Sequence, residues 1–160
     1  MGVSYAPTLP GDTWLGSFVA WAANTAAYWS ITQWLVAPAD YWRNPKNPEG
    51  YLKHSFLAEA NNEAKFDQGR KDKWLALKFA RFVKWDRDTT IIPRESSWWG
   101  MYTEDYNIIS RHDTELYKKD LIGLRTLEEQ GRADFVITPG DHMHVSRKNI
   151  YNICKDPFSK

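Results

Sequence analysis

Cysteine is nearly absent from this chain. Cys154 stands alone among 160 residues, which excludes an internal disulfide, and no Cys-x-x-Cys or Cys/His spacing of a zinc site occurs. Redox and zinc chemistry drop out, and no metal or cofactor is expected. No asparagine begins an N-x-Ser/Thr acceptor, so a usual mark of secreted glycoproteins is missing. Met1-Gly2-Val3-Ser4 lacks the basic and apolar regions of a signal peptide, and Ala6 stands where a myristoylation motif wants Ser or Thr. Charge of one sign is scarce too. A net charge of +1 argues against a nucleic-acid partner, because affinity for the phosphate backbone needs a clustered basic excess. The densest basic stretch, Lys65 to Arg87, holds eight Lys/Arg against Asp67, Asp72 and Asp86. It reads as a solvated helix face, with contact to an anionic membrane surface as the alternative.

Aromatic residues are plentiful. They make up 15% of the chain, nine of them Trp, and the length has room for one ordinary domain with a real core. Thr13 to Ala39 carries no charge, and Trp14, Phe18, Trp21, Tyr28, Ile31 and Leu35 recur at helical spacing. This predicts one or two helices with a broad aromatic face. Asn24, Thr25, Ser30, Thr32 and Gln33 near the middle speak against a transmembrane span. A buried helical pair and a wall or lid over an apolar ligand groove both remain open.

After Pro38 comes a turn-rich connector, Tyr41 to Gly50. Short helices are expected around Ser55 to Asn61 and Lys71 to Lys78, and a strand over Phe79 to Trp85 that ends in Asp86-Arg87-Asp88. Ser96 to Tyr102 reads as an aromatic loop and Tyr106 to Ile109 as a short extended piece. Thr114 or Asp113 is placed to cap a helix from about Tyr117 to Gln130, with Gly131 as its left-handed stop. A second strand, Arg132 to Thr138, closes in Pro139-Gly140-Asp141-His142, and a last helix begins at Ser146. Cys154 on that helix reads as a small buried hydrophobe.

Two strands thus end in chemistry: one in carboxylates, the other in a histidine. Histidine titrates near neutral pH, so His142 at a rigid strand end suits a base that takes and returns a proton. Helix, strand, acid, helix, strand, histidine is the order in which the α/β-hydrolase fold presents its last two triad members. Asp88 and His142 lie 54 residues apart, enough for a crossover between parallel neighbours. Asp86 competes with Asp88 as the acid.

At this level of detail the residues match a family. Ala39-Asp40-Tyr41-Trp42, His54-Ser55-Phe56-Leu57-Ala58, Ser97-Trp98-Trp99-Gly100, Leu121-Ile122-Gly123-Leu124 and Gly140-Asp141-His142, in that order, resemble the C-terminal half of palmitoyl-protein thioesterase. That family removes long-chain acyl groups from cysteines. The resemblance implies an α/β chain with the last two core strands of an α/β-hydrolase over residues 79 to 160. It implies a helical insertion over 1 to 78, with Trp14, Phe18, Trp21, Tyr28, Trp98 and Trp99 as acyl-groove residues. Asp88, whose spacing to Pro93 fits the family, and His142 would be acid and base. S-acylated proteins or acyl thioesters would be substrates and the lysosome the compartment.

The nucleophile motif G-x-S-x-G does not occur in the chain; Gly2-Val3-Ser4-Tyr5-Ala6 imitates it only loosely. The resemblance places the serine and the rest of the sheet in a preceding segment or another chain. Three functions stay in play. The chain is part of a thioesterase completed by a serine-bearing partner, an inactive structural or interaction subunit of that descent, or an acyl-chain binding module.

Overall fold

The computed structural model describes residues 42–155, a mixed α/β arrangement. The uncharged run with Trp14, Phe18, Trp21 and Tyr28, expected from its spacing to be helical, lies outside the described residues. At the centre are two parallel strands, β1 (Ala80–Trp85) and β4 (Ala133–Thr138), in register from Ala80 opposite Ala133 to Trp85 opposite Thr138. Parallel neighbours need a crossover. Here it carries a small antiparallel pair, β2 (Met101–Tyr102) and β3 (Ile108–Ile109), and the helices α4 (Glu115–Lys118) and α5 (Leu124–Glu129). Helices α1 (Pro48–His54), α2 (Phe56–Ala60) and α3 (Gln68–Leu75) precede β1, and α6 (Arg147–Cys154) follows β4.

Side chains alternate across a pleated strand, so the pair has two distinct faces. Phe82 and Phe135 stack on one, ring centroids 5.2 Å apart, and Trp99 meets Phe82 edge-on at 6.0 Å. Leu116, Ile122 and Leu124 complete this core. A second cluster, Trp42, Tyr51, Leu57 and Ala58, lies around α1 and α2. On the opposite face Arg81 pairs with Asp134 at 2.7 Å and donates to the Ile153 carbonyl of α6, also at 2.7 Å. That guanidinium pins the last helix to the sheet.

The basic stretch is largely solvated, as expected: Lys65, Lys73, Lys78 and Arg87 are exposed and α3 buries no residue, while the others find acidic partners. Lys71 pairs with Asp120 at 2.9 Å, Arg70 with Glu59 at 3.1 Å and Lys84 with Glu95 at 3.7 Å. Among the described residues no helix is long and apolar enough to cross a membrane. Cys154 is exposed rather than buried, because α6 meets the sheet through its Arg81 anchor and leaves the cysteine outside.

The single helix expected over Tyr117 to Gln130 is broken. Asp120 and Gly123 take left-handed backbone angles, φ 52° and 83°, which separate α4 from α5. The Asp120 carboxylate then caps α5, accepting from Arg125 N at 2.9 Å, Thr126 N at 3.3 Å and the Thr126 hydroxyl at 2.6 Å. A β-carbon at Gly123 would lie 2.6 Å from Leu75 Cδ2. Close approach of α3 and the positive φ both call for glycine. Likewise α3 starts earlier than expected, because the Asp67 side chain accepts from Arg70 N at 3.0 Å and sets its N-cap. Thr114 and Ser146 cap α4 and α6 through Tyr117 N and Asn149 N.

Candidate functional site

The C-terminal ends of β1 and β4 lie side by side because the strands run parallel in matched register. Residues that follow the two strands therefore meet, although they are far apart in sequence. Pro139 and Gly140 turn the chain sharply at the end of β4. Gly140 has φ 128°, a region that L side chains rarely adopt. The turn is sewn to the end of β1: Asp86 Oδ1 accepts from Gly140 N at 2.8 Å, and Arg87 N donates to Gly140 O at 3.1 Å.

Asp88 and His142 face each other across this junction. Asp88 Oδ2 lies 2.9 Å from His142 Nδ1, with the carboxylate side chain 0% exposed and the imidazole 32%. Asp88 Oδ1 accepts from Thr90 N at 2.9 Å and Ile91 N at 2.8 Å, so the loop's own amides fix the carboxylate. A carboxylate only accepts, which puts the proton on Nδ1 and leaves the lone pair on Nε2. Such a pair orients an imidazole as a base toward whatever lies beyond Nε2. The Trp85 ring, 6.1 Å away and tilted by 57°, flanks the histidine. Of the two carboxylates after β1, Asp88 lies against the imidazole, whereas Asp86 is committed to the glycine turn.

A second carboxylate bridges the same loops. Asp141 Oδ1 accepts from Thr89 N at 2.9 Å, the Thr89 hydroxyl at 2.9 Å and His142 N at 2.7 Å; Oδ2 lies 3.0 Å from the same hydroxyl. The Thr89 and His142 amides, then the hydroxyl, hold the Asp141 carboxyl below its ordinary 3.8. Thr89 and Asp141 were not singled out from sequence. Their signal is adjacency alone, one residue after the acid and one before the histidine.

Trp98 and Trp99 both pack toward the Phe82–Phe135 face. The Trp98 indole donates to Phe82 O at 3.1 Å, with Lys84 Nζ 4.0 Å from its ring centre. Trp99, at φ 67°, is buried in the core. Exposed apolar side chains follow His142 along the chain: Met143, Val145, Ile150 and Tyr151.

The family profile for palmitoyl protein thioesterase matches residues 1–142, which covers nearly all the chain and ends on the histidine. The chain belongs to the palmitoyl protein thioesterase family. It is 37% identical over 154 residues to palmitoyl-protein thioesterase 1 of Caenorhabditis elegans, covering 94% of this chain and 52% of that protein. To the lysosomal thioesterase PPT2-B of Xenopus laevis it is 32% identical over 128 residues, 78% of this chain and 44% of the relative. Palmitoyl-protein thioesterase 3 of Dictyostelium discoideum is 32% identical over 140 residues, 85% and 47%. The chain thus spans about half the length of the curated relatives it matches. The family is one of hydrolases.

Proposed function

We propose that this chain supplies the acid and base of a Ser–Asp–His thioesterase site acting on long-chain acyl thioesters of S-acylated proteins. The observation that carries this reading is the 2.9 Å contact between buried Asp88 and His142 Nδ1 at the ends of two parallel strands. His142 Nε2 takes the proton of a serine hydroxyl as the serine oxygen attacks the thioester carbonyl carbon. Asp88 stabilises the resulting imidazolium. The imidazolium returns the proton to the departing thiolate, and water then releases the acyl group from serine with the same base.

The serine comes from another chain or a preceding segment, together with the remaining strands of an α/β-hydrolase sheet. Two features support such a completion. A two-stranded parallel sheet is rarely found alone. Ala80 N and Asp86 N point to β4, bonding Arg132 O and Thr138 O, so by alternation the backbone groups of Arg81 and Val83 point to the outer edge of β1. A further strand would pair there. In this reading residues 79–160 belong to the catalytic core. Residues 1–78 form a helical insertion whose Trp14, Phe18, Trp21 and Tyr28, with the half-buried Trp98, line the acyl groove, while Trp99 belongs to the core. The compartment would be the lysosome, as the names of relatives suggest. An interaction subunit without turnover is the second reading, favoured by Ile137 on β4, which is 59% exposed.

The test is labelling by a serine-directed fluorophosphonate probe of the protein purified from its source with its associated polypeptides, alongside palmitoyl-thioester hydrolysis. Labelling and hydrolysis that vanish in His142→Ala support the first reading. Absence of both, with the assembly intact, leaves the interaction subunit.

A further inference from the structure

We infer that Thr89 and Asp141 form a clasp that positions the acid–base pair; this rests on the reading of Asp88 and His142 as acid and base. The clasp is the dyad's immediate neighbour in both loops. Thr89 follows Asp88 and Asp141 precedes His142, so the carboxylate of one loop grips the backbone and hydroxyl of the other one residue away from the catalytic contact. The same carboxylate oxygen also accepts from His142 N at 2.7 Å. It therefore ties the backbone that carries the imidazole to the backbone that carries its partner.

Asp86 adds a third link through Gly140 N at 2.8 Å. That link fixes the turn two residues before His142, whereas Asp141 fixes the amide of His142 itself. Asp141 and Thr89 bond through the backbone of the pair and each other, so they are positioning residues. The need is physical. The dyad contact changes charge whenever His142 gains a proton, and a partly exposed imidazole on a turn has rotational freedom to lose. Charge-assisted links one and two residues before it keep the loops at fixed separation in both protonation states. Misplacement of a reacting group by about 1 Å costs orders of magnitude in rate.

The experiment is proton NMR of the histidine-labelled full chain, following the Nδ1 proton that a His–carboxylate hydrogen bond shields from solvent, with thermal melting recorded on the same samples. Loss of the signal in His142→Gln assigns it. Thr89→Val removes only the hydroxyl, Asp141→Asn removes the charge, and Thr89→Ser restores the donor. Expected is solvent exchange of the Nδ1 proton accelerated about tenfold in the Thr89→Val and Asp141→Asn variants, the factor matching one hydrogen bond to a charged acceptor, with near wild-type exchange for Thr89→Ser. Unchanged exchange in both weakened variants overturns the clasp, as does acceleration that merely tracks a lowered melting temperature. A wild-type chain with no protected Nδ1 proton, or one whose proton stays protected in Asp88→Asn, instead overturns the dyad reading beneath it.

Discussion

Replacing Asp88 by Asn and by Ala separates its two duties. Oδ1 holds the loop through Thr90 N and Ile91 N at 2.9 and 2.8 Å, while Oδ2 holds His142 Nδ1 at 2.9 Å. An amide oxygen still accepts from both backbone amides, so Asp88→Asn loses only the charged character of those bonds, roughly 1 kcal/mol. Alanine abandons all three. Hydrogen bonds to a charged acceptor contribute about 1.5–3 kcal/mol each, but Thr90 is exposed and water reclaims part of the loss. A net cost of roughly 2–4 kcal/mol follows, at about 3 °C of melting temperature per kcal/mol. Catalysis reverses this mildness. The Asn NH2 cannot accept from Nδ1–H, so it favours the tautomer with the proton on Nε2, where the base needs a lone pair. Turnover should fall about ten-thousandfold, as it does when the triad aspartate of a serine protease becomes Asn. The assay is palmitoyl-thioester hydrolysis by the source-purified assembly, with melting curves for each variant. Hydrolysis within about tenfold of wild type in a folded Asp88→Asn assembly would refute the acid role. Equal melting losses for Asn and Ala would refute the division of labour between the two oxygens.

Three further outcomes are expected. Gly123→Ala puts a β-carbon at φ 83° against Leu75 and should cost about 2 kcal/mol in a urea melt, mostly from the left-handed backbone; a loss under about 0.5 kcal/mol would show that the break between α4 and α5 relaxes freely. Arg111 hydrogen bonds hold Glu128 below its ordinary 4.5, and at Asp120 bonds from Thr126 and Lys71 outweigh burial and hold it below 3.8. Depressed carboxyls stabilise the fold above their unfolded values and lose that contribution as pH falls through the folded ones. Melting temperature should therefore decline on acidification below about pH 4.5, less steeply in Lys71→Met and Arg111→Met, and identical slopes would rule those pairs out. Tyr51→Phe removes the 2.6 Å hydrogen bond to Glu63. Burial, then the Glu63 charge, pushes the Tyr51 hydroxyl well above its usual value, which marks the proton as firmly held. The substitution should cost about 1–2 kcal/mol by chemical denaturation.

Much of the site could be read from local signals. The β-favouring run ahead of Pro139-Gly140 marks a strand and its turn, and both strands form within a residue of the expected limits. Thr114, Ser146 and Gly131 cap or stop helices as their chemistry dictates, Gly131 with φ 67°. The broken helix escaped because Leu121, Leu124 and Leu127 keep helical spacing across Gly123, and the side chain packed closest over that glycine, Leu75, comes from another helix. Trp99 read from sequence as part of an aromatic loop; its left-handed backbone turns it into the core.

The chain's sequence by itself determined its kinship and the residue types that end its two strands, because turn propensities, caps and an ordered set of motifs are properties of short segments. Which carboxylate faces His142, and which merely ties down a glycine, was decided only in three dimensions. Asp86 and Asp88 are chemically identical and two residues apart. Their different partners follow from the parallel register of β1 and β4, which sets Gly140 N beside one and His142 Nδ1 beside the other. The clasp of Thr89 and Asp141 has the same origin. Long-range geometry assigns roles among equivalent side chains, and no local pattern carries that information.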